Sequence, residues 1–272
     1  MTTVEQPATI EYGMARVRIY PSREALGAAA AADAAGIITH AVRERGRARI
    51  IVATGNSQLE LIHALVKIPG VPWRSVEVFH LDEYVGMPDT HPSSFRLWIK
   101  RRIEDVVHPG KIQYMRGDAP DVDAEIERYS ALLNAAPLDL AFVGFGENGH
   151  IAFNDPHVAD FDDPVTIKRV VMDDASRRQQ AGEGHFDSPA SVPHEALTVT
   201  CPALMRAAAW ICAVPELRKA QAVRNALEGE IATTCPSSIV RRHPNATVYL
   251  DEESASLLRV VGQDGIPMSL SF

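Results

Sequence analysis

Two short stretches carry the residue types that proton chemistry needs. From Leu138 to Pro156, an apolar run (Leu138 to Val143) leads into Gly144, Gly146 and Gly149, with His150 after the last glycine and Asn154 and Asp155 close behind. From Val76 to Tyr84, a second apolar run delivers the adjacent carboxylates Asp82 and Glu83. An imidazole suits proton exchange with a sugar or carbonyl oxygen near neutral pH, and a carboxylate suits carrying a proton between carbons. The carboxylate pair can equally be a helix cap or a solvated turn, since structural networks also place acids at strand ends.

A third stretch, Thr54-Gly55-Asn56-Ser57, follows the apolar run Ala48 to Ala53 and precedes a helical pattern from Leu59 to Val66. Strand, glycine-containing loop and helix N-terminus together make a phosphate cradle, although such loops often only connect elements. Lys219 falls in the early turns of a helix that Pro215 opens. It is either a surface lysine or, if that helix starts at the carboxyl edge of a sheet, a group that reaches into a crevice. The polar segment Asp173 to His185 holds Arg177, Arg178, Gln179 and Gln180. It reads as a solvated loop or as the source of an arginine for a phosphate.

Other chemistries find less support. Ser57 lacks a G-x-S-x-G setting, and no cysteine shares a recognisable motif with a histidine. His80, Asp82 and His150 could meet around a metal, but no HExxH or Cys/His cluster supports one, and no metal is expected. The GFGENG run resembles a dinucleotide fingerprint only superficially, because His150 rather than an obvious helix follows its last glycine.

Strands that must position these groups are read at 15–20, 48–53, 76–81, 112–115, 138–143, 165–172, 207–214 and 246–250, with a further ordered segment at 196–199. Helical patterns fall between them, at 22–45, 59–66, 92–107, after Asp121, after Pro215, at 236–243 and at 254–258. Strands alternating with helices predict an α/β protein: three layers, a mostly parallel sheet and helices on both faces. In such a sheet ligands sit outside the carboxyl ends of the strands, where His150, Asp82 and the 54–57 loop would all lie. One domain is expected over 1–272, with 1–13 and 259–272 flexible or peripheral.

A net charge of −8 argues against nonspecific nucleic-acid binding while leaving room for a local basic pocket. Cys201, Cys212 and Cys235 show no CxxC spacing, which fits a reduced cytosolic compartment. No signal pattern is read at the N-terminus and no run of membrane-spanning length elsewhere, so a soluble cytoplasmic protein without a membrane partner is expected.

Several motifs resemble one family. TGNS at 54–57, FHLDEYVGM at 79–87, HPSSF at 91–95 and VGFGENGHIAFNDP at 143–156 are similar to glucosamine-6-phosphate deaminases (isomerases). VPHEALTVT at 192–200, RKAQAV around Lys219 and CPSSIVRRHP at 235–244 extend the likeness. The 6-phosphogluconolactonases share the glycine–histidine element but continue it differently. The resemblance implies a Rossmann-like sheet of the ribose-5-phosphate isomerase kind, a sugar-phosphate substrate and no organic cofactor. By similarity, Asp82 would carry a proton between sugar carbons 2 and 1, and His150 would open the pyranose ring. Thr54, Gly55, Asn56, Ser57 and Lys219 would hold the phosphate, with Glu83 also in the substrate-binding set and Arg177 as the arginine.

The family pattern has aspartate and glutamate where this chain has Asn148 and Asp155. An amide stabilises an imidazolium less than a carboxylate does, so Asp155 alone is expected to orient His150. Lactone hydrolysis or another sugar-phosphate reaction is the alternative, and a silent sugar-phosphate sensor a further one. A homo-oligomer is possible. Only Lys168 and Arg169 are basic in the segment where some relatives bind an effector, so regulation is not expected.

Overall fold

The computed structural model describes residues 9–184 and 186–259. The expectation for the termini therefore lies outside the described residues at 1–8 and 260–272. Its strands are β1 (Thr9–Tyr12), β2 (Ala15–Tyr20), β3 (Ala48–Val52), β4 (Val76–His80), β5 (Asp82–Tyr84) and β6 (Lys111–Ile112), then β7 (Leu140–Val143), β8 (Ile167–Val171), β9 (Glu195–Val199), β10 (Trp210–Val214) and β11 (Ala246–Asp251). The α-helices are α1 (Arg23–Arg45), α2 (Leu59–Leu65), α3 (Phe95–Ile99), α4 (Asp105–Val107), α5 (Val122–Asn134), α6 (Asp174–Gly182), α7 (Cys201–Met205), α8 (Ala220–Glu228) and α9 (Glu252–Ala255).

An eight-stranded sheet runs β1-β2-β11-β10-β7-β3-β4-β6. It is parallel apart from the antiparallel β1–β2 pair at one edge. Side chains alternate between its two faces, as the two-residue period of a strand demands. Ile51, Cys212 and Val248 enter one core, while Ile50, Ile211 and Tyr249 enter the other. Burial on both faces explains why these strands read as unbroken apolar runs.

Helix α1 packs on the second core. Ser22 caps it by accepting a hydrogen bond from the Ala25 N–H, and Gly46 closes it at φ 72°. At 23 residues it is long and apolar enough to cross a membrane by length and composition, which overturns the expectation that no such segment exists. In the fold it is a core helix: Leu26, Ala30, Ala34 and Ile38 are buried.

A second, antiparallel sheet, β5-β9-β8, was not anticipated. Asp82 opens β5 and pairs with Thr198, so the turn expected after β4 is itself a strand. The segment after Pro215 also differs: Glu216 sits at φ 85°, a 3-10 turn spans Leu217–Lys219, and only then does α8 begin. The Asp251 carboxylate accepts the Glu216 N–H at 2.9 Å and holds this turn.

Two glycines of α1 separate packing from propensity. A Cβ on Gly27 would lie 2.6 Å from Glu60 Cβ and 2.8 Å from its carbonyl carbon, whereas nothing lies within 4 Å of one on Gly36. Overpacking costs about 1–3 kcal/mol, against a helix-propensity gain of about 1 kcal/mol for alanine. Gly27→Ala is thus expected to lower the urea midpoint, and Gly36→Ala to raise it.

Candidate functional site

The four central strands β10, β7, β3 and β4 end on one edge, and the segments that leave them converge there. β3 feeds the 54–57 loop, β4 feeds Asp82, β7 feeds the glycine loop before His150, and β10 feeds the turn to Lys219. Asp82, His150, Lys219 and all four residues of the loop line one cavity of about 70 Å³. Gln179, Gln180 and Glu183, from α6 and its C-cap, complete the wall.

Glycines let the histidine in. A Cβ on Gly146 would fall 2.3 Å from the His150 ring, and Gly149 turns the chain at φ 84°. The Gly146 N–H donates to the His150 carbonyl at 2.9 Å, closing the loop. His150 Nδ1 then faces Asp155 Oδ1 at 3.1 Å and Ser176 Oγ at 3.0 Å.

Asp155 is fully buried. Burial alone would raise its pKa, but the hydrogen bonds and charge of His150, with the bonds from Ser176 and Asn148, hold it well below the usual carboxylate range. Asn148 does not touch the imidazole ring. Its Nδ2 donates to Asp155 at 3.0 Å and to Asp173 at 3.2 Å, while its Oδ1 accepts the His150 backbone N–H. Asp155 is therefore not alone in orienting His150, because Ser176 bonds both groups.

Asp82 is buried at the cavity wall, and burial, with the charge of Glu83, pushes its pKa well above the usual value. His80 supports it from behind: Nδ1 donates to the Asp82 carbonyl at 2.8 Å and Nε2 accepts from the Met115 N–H. Burial lowers the His80 pKa to about 4, so it serves the backbone as a neutral ring.

Two expected binding residues lie elsewhere. Glu83 does not line the cavity. Its carboxylate takes the Tyr84, Phe95 and Arg96 N–H groups and the Ser94 hydroxyl, which places an anion at the start of α3. Burial still lifts its pKa to about 7. Arg177 points away from the cavity, donating to the Pro189 carbonyl at 2.7 Å and the Val192 carbonyl at 3.4 Å. It anchors the loop after α6 and does not line the cavity.

Lys219 is buried, and burial brings its pKa down to about 8 despite the opposing charge of Glu183. The buried Thr54 hydroxyl, at the cavity wall, has no hydrogen-bond partner among the described residues. Asp155, His157 and Asp173 have potential ligand atoms within 4.8 Å of one another. The Asp155 oxygens already accept from Asn148, Ser176 and the Asp173 N–H, and His157 Nε2 bonds the Val171 carbonyl.

Sequence reasoning missed Gln179, Gln180 and Glu183 as wall residues and Ser176 as a partner of His150 and Asp155. Their signal was present: Asp173 is an N-cap residue, and polar groups at 176, 179, 180 and 183 share one face of the helix it starts.

The fold and site define an α/β protein in which a histidine, a carboxylate and a lysine line one cavity at the carboxyl edge of a parallel sheet. Residues 21–249 match the family of glucosamine-6-phosphate isomerases and 6-phosphogluconolactonase, and the chain belongs to it. A glucosamine-6-phosphate deaminase of Arthrobacter sp. is 36% identical over 250 residues, covering 90% of this chain and 93% of that protein. One from Pseudarthrobacter chlorophenolicus is 36% identical over 232 residues, covering 84% and 88%. Among solved structures, a monomeric glucosamine-6-phosphate deaminase superposes with a TM-score of 0.81 at 29% identity, covering 89% of this chain and 99% of that one. A Trypanosoma brucei 6-phosphogluconolactonase shares the fold, with a TM-score of 0.72 at 16% identity, covering 92% and 100%.

The Asn148 bridge makes a specific demand. Asn148→Asp would replace a donor between two carboxylates with a third acid, at an expected cost of about 1–3 kcal/mol at pH 7. The difference from wild type, read from urea midpoints, should shrink as pH falls toward about 4, where the new carboxyl protonates and can donate again. An unchanged midpoint at pH 7 would argue against the bridge.

Proposed function

We propose that this chain is a deaminating aldose–ketose isomerase that converts glucosamine 6-phosphate and water to fructose 6-phosphate and ammonia. The observation that carries this reading is the convergence of Asp82, His150, the 54–57 loop and Lys219 on one cavity. The deaminase relatives over most of the chain support the substrate.

His150 exchanges a proton with the pyranose ring oxygen and opens the ring to the 2-amino aldehyde. The Asp82 carboxylate takes the proton from carbon 2 while the substrate ammonium gives one to the carbonyl oxygen, leaving a neutral enolamine, and Asp82 returns its proton to carbon 1. Carbon 2 is then an iminium, which adds water and expels ammonia. The raised pKa of Asp82 makes it an effective proton carrier, and the cationic amine of the substrate favours its ionised form. Lys219, the 54–57 amides and the Thr54 hydroxyl bind the phosphate. The three free, buried cysteines fit a reducing compartment such as the cytoplasm.

A panel of hexosamine 6-phosphates and 6-phosphogluconolactone, read for ammonia and acid release, tests the assignment. Ammonia from glucosamine 6-phosphate is expected; acid from the lactone alone would replace the reading with lactone hydrolysis. Asp82→Asn should cut kcat by about 10²–10⁴-fold, the usual worth of a general base. Lys219 binds phosphate as a cation, so kcat/KM should fall as pH rises through about 8 in the free enzyme. Lys219→Met should abolish that limb, and its survival would remove Lys219 from the phosphate site.

A further inference from the structure

The anion end of the cavity already holds an anion. Glu183, just past α6, places its carboxylate 3.9 Å from the Lys219 ammonium and 2.9 Å from the Arg218 guanidinium. Both the Glu183 and Lys219 side chains are almost fully buried, at 4% and 3% exposure. Arg218 also meets Glu147 at 3.1 Å and Glu216 at 2.5 Å, and Arg23 joins Glu216 at 3.2 Å and Glu60 at 3.0 Å, so among the described residues three cations face four carboxylates. A cluster with that balance repels a phosphate dianion as long as Glu183 stays in it.

Size gives a second, independent constraint. An engineered cavity of about 150 Å³ takes a benzene. The cavity here is about 70 Å³ and half open to solvent, so a hexose phosphate is not enclosed by it as it stands, and Glu183 and the α6 glutamines line it. That wall is held in place: Gln179 donates to Glu183 at 2.8 Å and accepts the Glu147 N–H, Tyr84 donates to Gln180 at 2.7 Å, and Asn56 donates to the Glu183 carbonyl at 3.2 Å.

We propose that Glu183 is a specificity-determining residue that occupies the phosphate position in the unliganded protein, so that only a substrate with an anionic group at that end displaces it and enlarges the cavity. The substrate phosphate exchanges places with the carboxylate, taking over Lys219, and the outer wall moves with Glu183. A neutral sugar offers Lys219 no replacement counterion and leaves the cavity as it is. This inference rests on the phosphorylated-substrate reading above.

Titration calorimetry with inorganic phosphate tests it without turnover. Glu183→Gln keeps the shape and removes the competing charge, so its Kd for phosphate should be lower than wild type by on the order of tenfold. Equal or weaker binding overturns the proposal. Wild type alone supplies a second measurement: saturating phosphate should speed amide hydrogen exchange across residues 176–183, and slowed or unchanged exchange overturns the proposal even if the variant does not fold. Ammonia release is scored separately. Tighter phosphate binding without ammonia from any hexosamine phosphate keeps the role of Glu183 and removes the deaminase reading. Ammonia release with unaltered phosphate binding does the reverse.

Discussion

The buried carboxylate of Asp155 is the constraint on which the site depends. It lies beneath His150, accepts from Asn148 in the glycine loop and from Ser176 in α6, and takes the Asp173 N–H at the mouth of that helix. A carboxylate with no exposure needs such partners, because an unpaired buried charge costs several kcal/mol. With its pKa held below the ordinary value, its contribution to stability is present above about pH 3.9 and is lost as pH falls below it. The same bonds that keep the charge buried fix the imidazole against the cavity, so folding and site geometry share one network.

Around this anchor the carboxylates divide the work by environment. Glu83 and Asp82 are neighbours in β5, and alternate residues of a strand point to opposite sides. Glu83 turns to the start of α3, where amide groups satisfy it, while Asp82 turns to the cavity, where it is left for a ligand. The adjacency raises Asp82 further through like charge. Of the adjacent pair, Asp82 lines the cavity, while Glu83 caps the start of α3 and adds a like charge beside Asp82.

The parallel sheet and the groups at its carboxyl edge were legible because strands buried on both faces write themselves as apolar runs, and each run ended at its chemistry: Asp82, His150 and the 54–57 loop. What stayed hidden depended on long-range contacts. Residues 82–84 carry no alternation long enough to announce a strand, and their pairing with Ala196–Thr198 joins segments more than a hundred residues apart. Polarity made 173–185 look solvated, yet Ser176 and Gln180 are buried because a site, not a core, faces them. Arg177 matched the chemistry expected of a phosphate ligand, but helix phase turned it to the opposite side.

That helix phase also joins the two ends of the cavity. Ser176, which bonds His150, and Glu183, which meets Lys219, lie seven residues apart, about two turns and 10 Å along one helix face. A displacement of α6 as a unit that takes Glu183 away from Lys219 also shifts Ser176, and Ser176 bonds both the imidazole and Asp155. His150 and Lys219 are thus linked through α6. The Asn148 amide fastens Asp155 to Asp173 at the N-cap of α6, so the start of that helix is tied into the network that holds His150.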